Sequence, residues 1–154
     1  MGIFSVARQG KRDDKELGKG LWRRAHDRFQ RGLDRYHQVL EGVEDDALYN
    51  ELVLIANDLS QLLPRVRAVC AAAQKQHPSE ELEVPIQLAA VHRALSNAGN
   101  DLATTAQAAA MLRLAVGPGK GPVSDTAVSV RRRAEAVSAH VHDAERQLSE
   151  QAQL

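Results

Sequence analysis

Apolar residues recur along this chain at alternating steps of four and three, the spacing that returns side chains to one face of an α-helix. The first stripe is Trp22, His26, Phe29, Leu33, Tyr36, Leu40 and Val43, and the second is Leu48, Leu52, Ile55, Leu59, Leu62, Val66, Val69 and Ala73. The third is Leu88, Val91, Leu95, Ala98, Leu102, Thr105, Ala109, Leu112 and Val116, and the fourth is Ala127, Val130, Ala134, Val137, Val141, Ala144 and Leu148. Strand-like alternation is missing, and β-branched residues do not cluster in strand-length runs. The stripes predict four helices, over about residues 15–42, 46–76, 85–116 and 125–151.

Residues between the stripes support these boundaries. Asp13 with Glu16 resembles a capping box, but Gly18 and Gly20 weaken the turns that follow, so the first helix begins in earnest near Leu21. Residues 1–14 are expected to be a flexible basic segment. Gly42 ends the first helix, and Asp45 or Asp46 caps the second, where carboxylates suit the positive end of the helix dipole. His77-Pro78-Ser79 closes the second helix, Pro85 fits the first turn of the third, and Gly117–Pro122 is a break before a cap at Ser124 or Asp125. Pro64 lies inside the second stripe, which keeps its phase from Leu59 to Val69; one kinked helix is expected there, not two.

Four such helices with short connections predict an all-α, antiparallel up-down-up-down four-helix bundle. Ala98, Ala109, Ala127, Ala134 and Ala144, with Gly32 and Gly99, would let helix axes approach closely. The third helix carries only Arg93, Asp101 and Arg113 as charges, so its surface is covered either by neighbouring helices or by a second copy, leaving monomer and homodimer open.

Composition adds class limits. The chain has 154 residues, 20 Lys+Arg against 20 Asp+Glu, and one cysteine. An internal disulfide or zinc ribbon is excluded, and the average apolar content argues against global disorder. No stretch approaches the roughly 20 apolar residues of a membrane span, and the N-terminus has neither a secretory h-region nor a myristoylation pattern, so a cytoplasmic protein is expected. Many Ala, and Arg in excess of Lys, fit a GC-rich bacterial genome. Neutrality hides an asymmetry. Residues 1–43 hold ten basic and six acidic residues, a surplus of four positive charges, and residues 44–84 hold three and eight, a surplus of five negative ones.

That asymmetry frames the functional expectation. Arg24, Arg28, Arg31 and Arg35 recur at four, three and four opposite the first apolar stripe, and Arg131, Arg132 and Arg133 cluster on the fourth helix. Such rows bind acidic protein faces, anionic membrane or phosphates. Asp27 and Asp34 stand within the first row at salt-bridge spacing, Asp27 to Arg31 and to Arg23 and Asp34 to Arg31, which would neutralise part of it. Nucleic acid is the weaker reading, because the aromatics lie on the core stripe and not between the arginines.

Catalytic templates fail. Gly119-Lys120 lacks the glycine, hydroxyl and preceding strand of a phosphate-binding loop. Asp34-x-x-His37 and His142-x-x-Glu145 lie off the core stripes, which contain no Asp or Glu, so a di-iron centre is not expected. The alternative to an interaction module is a bundle binding a transition metal or haem. Antiparallel geometry would bring Trp22, His26, Cys70 and His92 to one end, with His26, Cys70 and His92 as candidate ligands; the competing reading is a hydrogen-bonded packing layer. The leading expectation is a non-catalytic module without a cofactor.

Overall fold

The structure, a computed structural model, describes residues 2–116 and 124–153, and side chains in the second stretch from residue 127. The expected Gly117–Pro122 break and the cap at Ser124 or Asp125 lie outside the described residues. The described residues form five α-helices and no strand: α1 (Ile3–Leu17), α2 (Leu21–Glu41), α3 (Asp46–Gln76), α4 (Ala89–Ala115) and α5 (Ser124–Ala152), with a short 3-10 turn, Ile86–Leu88, leading into α4. No described helix is long and apolar enough to cross a membrane.

The four apolar stripes occupy α2 to α5 in register. Leu52, Leu59, Val66 and Ala73 of α3, Val91, Ala98 and Leu102 of α4, and Val137, Val141 and Ala144 of α5 are all at most 1% exposed. On α2 the scarce large aromatics Trp22, Phe29 and Tyr36 are buried along the length of the helix, and the Tyr36 hydroxyl donates to the Leu52 carbonyl at 2.9 Å. Asp45 caps α3, its carboxylate accepting from the Leu48 amide at 2.8 Å. α3 runs unbroken through Pro64, as the constant phase of its stripe implies.

Two features differ from the sequence reading. Residues expected to be a flexible segment form α1, so the single first helix over 15–42 is two helices. Gly18 separates them with φ 71°, a left-handed conformation that a β-carbon disfavours. The second difference is lateral order. α2 packs on α3 and α4, α5 packs on α3 and α4, and α3 and α4 barely touch, so these two sequence neighbours are diagonal. Directions follow from the contacts. Tyr36, late in α2, meets Leu52, early in α3, while Gly18, just before α2, lies against Gln74 at the end of α3, so α2 and α3 are antiparallel. Trp22 meets His92 while Gly32 lies against Leu102, so α2 and α4 are parallel. Arg131 meets Glu51 and Arg65 meets Glu145, so α3 and α5 are parallel too.

Direction therefore alternates along the chain, but the α3–α4 connection crosses the end of the packed helices. It is pinned over the start of α2: the Leu21 amide donates to the Glu81 carbonyl at 2.9 Å, and the Lys19 amide to the Glu80 carboxylate at 3.1 Å. Gly20 sits directly beneath the Glu81 carbonyl with no room for a β-carbon. Between the parallel α2 and α4, Gly32 provides the close approach, since a β-carbon there would lie 3.0 Å from Leu102 Cγ.

Candidate interaction surface

The core stripe of α2 turns its opposite side outward, and Arg24, Arg28, Arg31 and Arg35 are all exposed there. Their charge depends on what the nearby aspartates do. Arg23 Nε donates to Asp27 Oδ2 at 3.1 Å, and His26 Nδ1 lies 3.0 Å from Asp27 Oδ1. Both carboxylate oxygens are thus engaged away from the row. The Arg23–Asp27 pair forms as spaced, but neither Asp27 nor Asp34 comes within ion-pair distance of Arg31. Among the described residues Arg24, Arg31 and Arg35 make no ion pair, and Arg28 reaches the Asn100 side chain on α4. The row is less neutralised than its sequence implies. At about 1.5 Å rise per residue, Arg24 and Arg35 are roughly 16 Å apart along the helix.

The remaining arginines are elsewhere. Arg131 pairs with Glu51 of α3, while Arg132 and Arg133 are exposed beside Asp101 in a shallow hollow between α4 and α5. α2 and α5 are diagonal, so the two arginine groups do not share a helix–helix groove; α4 lies between them. The exposed side of α4 that separates them carries the uncharged Asn97, Asn100, Thr104 and Gln107, with the partly exposed Asp101 at its α5 edge. Where α2 meets α4, Leu21, Arg24, Ala25, Arg28, His92 and Leu95 enclose only about 150 Å³. That is well below the roughly 300 Å³ at which small-molecule pockets begin, so the arginines front a surface and not a ligand cavity.

The end of the molecule that receives the start of α2 holds the other candidate set. Trp22 and His92 stack edge to face with ring centroids 6.0 Å apart. Burial, reinforced by the Arg28 charge, holds the His92 imidazole below its ordinary pKa. Burial, with the Asp27 charge adding to it, pushes the Cys70 thiol up to about 12, against the opposing influence of Arg67 and the His26 backbone. No group of three or more His, Cys, Asp and Glu side chains gathers as a metal site among the described residues. His26, Cys70 and His92 come to one end as expected, with His26 Nδ1 against Asp27, the His26 backbone beside Cys70, and the half-buried His92 against Trp22.

One cluster has no counterpart in the sequence reading. Arg67 of α3 donates through Nη1 to Asp13 at 2.7 Å and through Nε to Glu16 at 2.9 Å. Arg23 of α2 donates to Asp14 at 2.8 Å and lies 3.7 Å from Asp13. These pairs tie α1 to the groove between α2 and α3. Asp13 is buried; the capping box read for Asp13 and Glu16 does not form, because both stand inside α1 and their carboxylates accept from Arg67 instead. Compared with protein-family models, with curated proteins and with solved structures, the chain matches none.

Proposed function

We propose that α2 to α5 form a four-helix bundle that acts as a non-catalytic interaction module, capturing an acidic protein partner on the arginine row of α2. The observation that carries this reading is the engagement of Asp27 by Arg23 and His26, which leaves Arg24, Arg31 and Arg35 exposed and without carboxylate partners among the described residues. Four guanidiniums at helical spacing match a row of carboxylates on a partner helix, and each pairs with planar, two-point geometry. The positive first part of the chain against its negative second part would also orient an incoming partner.

The α4 side argues for a foreign partner over a second copy. An isologous pair formed through the uncharged strip of α4 would bring its flanking arginine groups face to face or beside one another, and like charges oppose that.

The test is charge reversal. Arg24→Glu with Arg31→Glu should weaken binding of a glutamate-rich helical peptide at least about tenfold, roughly 1.4 kcal/mol, measured by fluorescence anisotropy at low salt. Arg146→Glu, remote on α5, should leave it unchanged. Equal loss in both variants, or no loss in the first, removes the α2 row as the contact. Tighter binding of duplex DNA than of the peptide, with steep salt dependence, would assign the row to nucleic acid instead.

A further inference from the structure

α1 presents a second surface, distinct from the arginine row. Its C-terminal half is anchored by Leu17 and by the Asp13, Asp14 and Glu16 ion pairs, whereas its first two turns bury nothing. There Ile3, Phe4 and Val6 are 86%, 80% and 71% exposed, three of the most exposed large apolar side chains in the described molecule. Large apolar groups left in water as a cluster mark an interaction site.

The arrangement of these residues selects the partner. At about 100° per residue, Ile3 and Val6 share one side of the first turn, and Phe4 lies about 100° round from Ile3. A flat protein face that covers Ile3 and Val6 would leave Phe4 at its edge. A fluid phase that closes around the tip covers all three. Behind Phe4, Arg8, Lys11 and Lys15 follow at four, three and four, all exposed and all without an ion pair among the described residues. Arg8 and Lys11 lie about 6 and 10 Å further along the axis than Phe4. Interfacial helices bury their apolar groups roughly 5–10 Å below the headgroups, so a tip seated at that depth puts these cations at the level of lipid phosphates. Lysine and arginine there draw on the negative charge of an anionic leaflet.

We propose that α1 is a lipid-contacting arm, whose Ile3–Val6 tip inserts into an anionic bilayer while Arg8, Lys11 and Lys15 hold the headgroups. The clamp on Asp13 and Glu16 keeps the arm fixed to the helical body, so insertion would bring α2 to α5 to the membrane surface without unfolding them.

Co-sedimentation with vesicles tests this, using phosphatidylcholine alone and phosphatidylcholine mixed with phosphatidylserine. The protein should sediment with the mixed vesicles and not with the neutral ones. Ile3→Ser with Phe4→Ser should lower the partition coefficient at least about tenfold, since each side chain is lost from an apolar environment. Arg8→Glu with Lys11→Glu should lower it by a similar factor and flatten its salt dependence. All four positions are exposed, so circular dichroism should show unchanged helix content. Failure to bind mixed vesicles overturns the proposal. So does binding that survives the Ile3/Phe4 change, or a concentration-dependent dimer that this change dissolves with no vesicle binding. Loss of vesicle binding on Arg24→Glu with Arg31→Glu but not on the α1 changes would assign the lipid contact to α2 and overturn it as well.

Discussion

Replacing Arg67 with Met tests whether α1 is held chiefly by charge. The Arg67 and Asp13 side chains are 17% and 10% exposed, so their pair at 2.7 Å is largely shielded from water. Stripping a buried carboxylate of its partner costs about 3–5 kcal/mol. Asp13 would keep Gln9 at 2.8 Å and Arg23 at 3.7 Å, which lowers the expected loss to about 2 kcal/mol. The more exposed Glu16 contact adds nothing to that figure. The apolar side of α1 docking is one leucine, Leu17, contributing roughly 2 kcal/mol, so the loss of charge is comparable with all the apolar anchoring. In Arg67→Met the detached state of α1 should therefore rise about thirtyfold in population. Amide hydrogen exchange reads this directly: amides of residues 9–17 should exchange about thirtyfold faster, and those of α2 to α5 at nearly their original rates. Acid should act in the same direction. Burial by itself would raise the Asp13 pKa, but hydrogen bonds from Arg67 and Gln9 and the charges of Arg67 and Arg23 outweigh it, and the carboxyl titrates below its ordinary 3.8. Hydrogen bonds from Arg12 and Arg67 likewise hold Glu16 below its ordinary 4.5. Both groups bind protons more readily when α1 is detached, so docking is strongest above these ordinary values and is lost as pH falls through the lowered ones. Unchanged exchange in α1, or equal acceleration throughout the molecule, would refute the charge-held arm.

Three further outcomes follow from the packing. Gly20→Ala places a β-carbon against the Glu81 carbonyl, so the crossing connection must retreat and the Leu21–Glu81 hydrogen bond lengthens; a loss of about 1–3 kcal/mol in urea unfolding is expected, and an unchanged midpoint would contradict the pinning. Tyr36→Phe removes the buried bond to the Leu52 carbonyl and should cost about 1 kcal/mol with no change in the slope of the urea transition, whereas a neutral result would mean that the hydroxyl adds nothing to core packing. His92 titrates below its ordinary 6.5 because of burial and Arg28, so the unfolded chain binds the proton first and stability should decline as pH drops below that value. His92→Leu should flatten this decline in thermal melts between neutral and mildly acid pH, and an equal decline in the variant would place the effect on another group.

The arginine row shows how far residue spacing reaches. That Arg24, Arg28, Arg31 and Arg35 face outward follows from their phase against Trp22, Phe29 and Leu33, because one helix fixes the angle between them. Whether Asp27 neutralises them does not follow, since Arg23, His26 and Arg31 all stand within its reach along the helix. The choice fell to Arg23, which α1 also holds in place through Asp14. For the same reason the gathering of Trp22 and His92 at one end was readable from helix lengths and directions. The upward push on the Cys70 thiol required the burial that only the assembled core provides.

The sequence by itself determined the helical class, the four core stripes, an acidic cap at Asp45 or Asp46 and the passage of α3 through Pro64, because each depends on residues within a few turns of one another. Only the tertiary structure decided that α3 and α4 are diagonal, that α1 is a helix clamped by Arg67, and that the first turn of α1 leaves Ile3, Phe4 and Val6 uncovered. A periodic stripe states that a face is buried, but it does not name the helix that buries it. Alternating direction along the chain is equally compatible with neighbouring or diagonal placement. The choice rests on contacts between residues distant in sequence, such as Gly20 beneath the Glu81 backbone and Gly32 against the Leu102 side chain, where the absence of a β-carbon makes room for the neighbour.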